Sequence, residues 1–240
     1  MRTLVFDIET KARLWGDLPG MTRSALTYWI ERGDYTEEER QRKLAGVKAR
    51  LDLSPFTAGI IALSVHDIAR DQTAVYYVAD EAAPATRDGN VTYKVRTETE
   101  LLAEFWTGAT DYQVFVSFNG RAFAVPFLYH RSVMNGVVPS VMIARQRYLS
   151  KQSAPYHVDL LDELSFHGAM PHRPSLALLC SAYGIDHPSV LGGEEVAEAY
   201  EAGRFQTVAE KCVGDVQAIT GLYEVWKSYL APAFFQTNEV

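Results

Sequence analysis

The chain has only two cysteines among its 240 residues, Cys180 and Cys212. Two thiols so placed make neither a disulfide framework nor a zinc-ligand pattern, and a reducing, cytoplasmic setting is the expectation. No apolar run is long enough to cross a membrane, and no basic-then-apolar stretch follows Met1, so no membrane partner is expected. Internal repeats and low-complexity segments are also missing. Positive charge is scarce: 23 Lys and Arg face 30 Asp and Glu, for a net charge of −7. That balance excludes broad, non-specific coating of nucleic acid. It leaves room for an acidic metal centre beside a local basic groove. What remains is an ordinary globular composition, 48% hydrophobic, in a length that fits one large domain or two small ones.

The stretch Leu4 to Thr10, LVFDIET, carries the first chemical signal. A short apolar run reads as a buried strand, and its period of two sends Asp7 and Glu9 to one face. Two like charges a few ångströms apart repel each other and lose water. A divalent cation between them removes the repulsion, and hard oxygen ligands suit Mg²⁺ or Mn²⁺. The competing reading is an edge strand whose polar face meets solvent.

Further along, Lys11 to Gly20 reads as a loop, and Thr22 to Arg32 has helical spacing with Leu26, Trp29 and Ile30 on one face. Thr36 and Glu39 form a capping-box pattern opening a charged helix to about Leu51. Ile60 to His66 and Thr73 to Val78 are β-rich and predict a hairpin joined to the first strand's sheet. Asp80 to Asn90 reads as a polar loop and Val91 to Val95 as a short strand. A helix capped at Thr97 should run through about Trp106. Val114 to Phe118 is an apolar strand running into Asn119 and Gly120. Pro126 is tolerated in a first helical turn, so a helix is expected from near Phe123 to Met134, stopped by Gly136. Arg145 to Pro155 reads as an exposed loop, and His157 to Leu161 as a strand end continuing to Leu164. Helices are predicted from Ser175 to Tyr183, Glu194 to Glu201 and Phe205 to Leu230, with Asp215 in the middle of the last. This order argues for a mixed α/β layer fold.

Three segments together resemble one family. Asp7-Ile8-Glu9-Thr10 resembles the first motif of the DEDD 3′–5′ exonucleases. Phe118-Asn119-Gly120 with Phe123 and Pro126-Phe127-Leu128 resembles the second, and Cys212-Val213-Gly214-Asp215-Val216 the third. His157 to Leu161, Ser175-Leu176 and Gly193 to Tyr200 are similar to the small ribonuclease-H-like exonucleases related to the proofreading domain of family B DNA polymerases. The resemblance implies a ribonuclease-H-like mixed β-sheet flanked by helices, with residues 1–240 as one domain and a helical insertion at about 20–52. It also implies two-metal hydrolysis at 3′ ends of single-stranded DNA, with Asp7, Glu9 and Asp215 as metal ligands. Asn119, Phe123 and Phe127 are the implied substrate contacts. Their plainer readings are a turn residue and two core aromatics.

The departures from that pattern matter as much. Ala124 stands where the family has its fourth carboxylate, Lys211 where it usually has a Tyr, and Ser189 where a Lys is often found. Of the two divalent cations, Mg²⁺ or Mn²⁺, the second is therefore expected to be weakened or lost. Ala124 admits three readings: an engineered knockout, a natural loss that leaves an end-binding fold, or a gap into which Asp159 leans. Lys211 is either a phosphate contact or a solvated helix residue. Arg145, Arg147 and Lys151 either track phosphates or are simply solvated. The histidines show no zinc spacing. Three functions stay open: a 3′–5′ exonuclease on single-stranded DNA impaired by Ala124, an inactive module binding nucleic-acid ends or a partner, and a 3′–5′ exoribonuclease.

Overall fold

A computed structural model describes residues 1–187 and 192–236. The predicted Ser189 lies outside the described residues. The first strand, β1 (Thr3–Ala12), is followed by two helices, α1 (Gly20–Arg32) and α2 (Glu37–Lys48), before the chain returns to the sheet in β2 (Ala58–Asp67) and β3 (Gln72–Tyr77). Next come β4 (Thr86–Asp88), β5 (Val91–Val95), α3 (Glu98–Ala109), β6 (Val114–Ser117) and α4 (Ala124–Met134). The chain then forms β7 (Tyr156–Asp159), α5 (Leu160–Leu164), α6 (Leu176–Tyr183), α7 (Gly193–Glu201), α8 (Phe205–Tyr229) and α9 (Ala233–Gln236). Among the described residues no helix is long and apolar enough to cross a membrane.

Local chemistry fixes the boundaries. Thr36 with Glu39 and Thr97 with Glu100 close complete capping boxes at the starts of α2 and α3. Each satisfies backbone donors that a helix start otherwise leaves unpaired. Ser175 caps α6, and Gly184 ends it with φ 69°, a left-handed conformation that glycine adopts without a steric penalty.

The seven strands form one mixed sheet in the order β4-β5-β3-β2-β1-β6-β7. β1 pairs antiparallel with β2 and parallel with β6, and β6 pairs parallel with β7. β1 is therefore an interior strand, which rules out the solvent-facing edge as the reason for its two acids. Alternation divides its side chains. Leu4, Phe6 and Ile8 join a core with α3 and α4, while Val5 joins one with α8. Asp7 and Glu9 follow Val5 and so look toward α8.

Three segments differ from the sequence expectation. β1 extends through Ala12, past a register shift at Glu9/Thr10, into the expected loop. The expected loop from Asp80 to Asn90 contains β4, an exposed three-residue edge strand. The stretch after His157 changes from strand to helix at Asp159, whose side chain accepts from the backbone N–H groups of Leu161 and Asp162.

Candidate metal centre

Asp7, Glu9 and Asp215 converge. Each offers an oxygen, and the three oxygens lie within 4.8 Å of one another. β1 supplies the first two from one face, and α8 crosses that face, with Cys212 Sγ 3.5 Å from the carbonyl oxygen of Asp7. Burial sets the electrostatics. It raises the Asp7 carboxyl well above its usual range, with the charges of Asp215 and Glu9 adding to the effect. Burial also lifts Glu9 to about 7, against the pull of Lys211.

Lys211 is not a solvated helix residue. It precedes Asp215 by one helical turn on α8, and its Nζ donates to Asp215 Oδ2 at 2.7 Å and to Glu9 Oε1. Its side chain is only 14% exposed. Burial alone would lower its pKa, but Glu9 and Asp215 overcome that and raise it, so the group is a fixed ammonium.

Ala124 is the first residue of α4 and is 1% exposed, packed in the core that holds Phe6, Ile8 and Phe127. No side-chain oxygen is available there. Asp159 does not lean into the gap. Its Oδ1 accepts from the backbone N–H of Asn119 at 2.9 Å, and its Oδ2 from that of Arg121 at 2.8 Å. These bonds pin the loop after β6 to the end of β7, so the carboxylate is already committed.

Asn119 takes the turn role, with φ 57°. Gly120 is required by close approach: a Cβ there would lie 2.0 Å from Ser117 Oγ. Phe123 is half-buried just ahead of α4, its ring 5.0 Å from that of Phe127. Phe127 is 1% exposed. Its place one turn further along α4 turns it into the core, so it cannot stack on a base, which corrects the sequence expectation.

Two features had no sequence signal. His187 Nε2 lies 3.4 Å from Asp215 Oδ1 and has no hydrogen-bond partner among the described residues. Arg121, Arg147 and Arg173 line a cleft of about 430 Å³ with Asp159 and Asp162. Arg147 grips Asp162 with two bonds, of 3.1 and 2.9 Å. Arg173 reaches Asn119 Oδ1, at 3.4 Å. Arg147 thus joins an ion-pair cluster while its side chain stays 46% exposed, and its partner is too far along the chain for spacing to reveal.

Comparison with known proteins agrees with the fold. Residues 61–230 match the model of a family described as a predicted 3′–5′ exonuclease related to the exonuclease domain of PolB. The structure of the family B DNA polymerase from the hyperthermophilic archaeon Pyrobaculum calidifontis is similar, with a TM-score of 0.56 and 19% sequence identity. The similarity covers 94% of this chain and 24% of the polymerase, so this chain spans about a quarter of that protein. No curated protein matches the sequence.

Proposed function

The chain belongs to the family of predicted 3′–5′ exonucleases related to the exonuclease domain of PolB, and from that membership we propose that it acts on the 3′ ends of single-stranded DNA as an exonuclease whose cleavage is strongly impaired. The observation that carries this reading is the meeting of Asp7, Glu9 and Asp215 at one point. Acids gathered this closely, two of them buried and one half-buried, lose hydration and repel one another, which calls for a cation among them.

The carboxylates of Asp7, Glu9 and Asp215 would suit one divalent cation, but Lys211 already holds two of them. They do not fit a second. Position 124 offers only a methyl group, and Asp159 is bound to the main chain. A bound divalent cation supplies charge neutralisation at the scissile phosphate and a more acidic water. No step is assigned to a second ion.

The protein's own groups do the remaining work. The half-buried ring of Phe123 offers a face to the terminal base. β6 runs parallel beside β1, and Ser117 pairs with Asp159 on β7. The arginine cleft therefore lies beyond the same strand ends, two strand spacings from β1, or about 10 Å. Backbone phosphates of a strand leaving the acidic centre can reach it, and guanidinium groups suit them.

The test is shortening of a 5′-labelled oligonucleotide in Mg²⁺ or Mn²⁺. The combined variant Ala124→Asp, Lys211→Tyr should degrade it faster than the native chain by about 100-fold or more, the scale on which a single well-placed polar group acts in a transition state. Ala124→Asp alone should recover less, because Lys211 still holds two of the ligands. A folded double variant as inert as the native chain would overturn the exonuclease reading. Matched DNA and RNA oligonucleotides test the sugar, since the 2′-OH is the main local difference. A second reading, a module that binds 3′ ends without turnover, is favoured by the ammonium seated between Glu9 and Asp215. It requires end-dependent binding with no shortening by any variant.

A further inference from the structure

We propose that Lys211 is the resident cation of the acidic centre. Its ammonium takes the place between Glu9 and Asp215 that a divalent ion would need, so the centre folds and holds a polynucleotide end without metal. Holding such an end rests on the proposed function; the ammonium's place between Glu9 and Asp215 does not.

The geometry points to a permanent occupant. Lys211 and Asp215 are one turn apart in the middle of a 25-residue helix, and Glu9 comes from an interior strand. The side chains of Glu9 and Asp215 are each 10% exposed and that of Lys211 14%, so water does little to screen them. A buried carboxylate left without a partner is strongly destabilising, and here the partner is built into the chain. Mg²⁺ needs oxygens at about 2.0–2.1 Å and near-octahedral order. An ammonium hydrogen-bonded to two of the same three carboxylates stands in that space and repels the ion.

The two departures from the family pattern act in the same direction. Ala124 removes one negative charge, and Lys211 adds one positive charge where a neutral Tyr is usual. Together they supply the charge of one divalent ion. An ammonium has three N–H donors. Two serve Glu9 and Asp215, which leaves the third for a phosphate oxygen.

The experiment uses the full chain and Mn²⁺. Free Mn²⁺ is followed by electron paramagnetic resonance during titration of the native protein and of Lys211→Met. Melting temperatures are recorded in EDTA and in Mn²⁺. The methionine variant should bind Mn²⁺ more tightly than the native chain by about tenfold or more, because no ammonium has to be displaced. Its melting temperature should fall in EDTA and recover in Mn²⁺, while the native chain responds to neither. Tight Mn²⁺ binding by the native chain, equal to that of the variant, would overturn the proposal. So would a variant that stays unfolded at saturating Mn²⁺, or one whose melting ignores the metal. The titration of the native chain needs no variant to fold. Binding of a fluorescent single-stranded oligonucleotide with a free 3′ end is then compared in EDTA and in Mg²⁺, and equal affinity is expected. Affinity that appears only in Mg²⁺ overturns the metal-free clause. If no oligonucleotide binds in either condition while the Mn²⁺ results hold, Lys211 keeps its place and the substrate reading falls.

Discussion

His157 shows how much one side chain on β7 can decide. It is 1% exposed, with Nε2 2.8 Å from Ser117 Oγ. Burial, and then the charge of Arg121, lowers its pKa from 6.5 to about 3. The native ring is therefore neutral across a range in which the unfolded chain takes up a proton. The unfolded state binds more protons there, so stability rises with pH through this window and is lost as pH falls from about 6.5 toward 3. Unfolding in urea at stepped pH should show this loss, with a slope of at most about 1.4 kcal/mol per pH unit for a single group. His157→Gln should flatten the slope between pH 6 and 4. An unchanged slope would assign the acid sensitivity to other groups.

At the scale of elements, the link between α1 and α2 depends on one guanidinium. Arg40 donates to the carbonyl oxygens of Ile30, Glu31, Gly33 and Tyr35 at 2.9–3.2 Å, capping the end of α1. Only Ile30 is buried in α1, and no residue is buried in α2, so packing does little to replace those bonds. Arg40→Ala should speed amide hydrogen exchange across residues 20–48 by about tenfold or more while the sheet's amides keep their protection. Uniform loss of protection would show that the hairpin and sheet unfold together. Much of this scale was legible in advance. Both capping boxes, the left-handed glycine after α6 and the long α8 follow from residues within a few positions of each other. β4 was not legible, because three exposed residues carry no alternation of burial. Nor was the change at Asp159, where the deciding bonds come partly from Asn119 and Arg121, about forty positions away.

For the molecule as a whole, net charge and local charge point in opposite directions. The chain carries −7 overall, yet three arginines gather in one cleft. Salt dependence of single-strand binding separates the two. Among the described residues Arg173 has one long contact, to Asn119, so Arg173→Ala removes charge with little structural cost. The slope of log K against log salt should shrink by about 0.7, the value for one phosphate contact on a single strand, with no change in base preference. An unchanged slope would take the strand's path elsewhere. The resemblance to the exonuclease motifs, rather than spacing, named Asp7, Glu9 and Asp215 as a set, and the three do meet. It could not indicate that Lys211 would pair with Glu9, since such a contact exists only after β1 and α8 have been brought together.

That pairing joins residues 202 positions apart. Translation delivers the two acids of β1 about 200 residues before their ammonium. A nascent chain still tethered before α8 emerges therefore carries Asp7 and Glu9 without their ammonium partner.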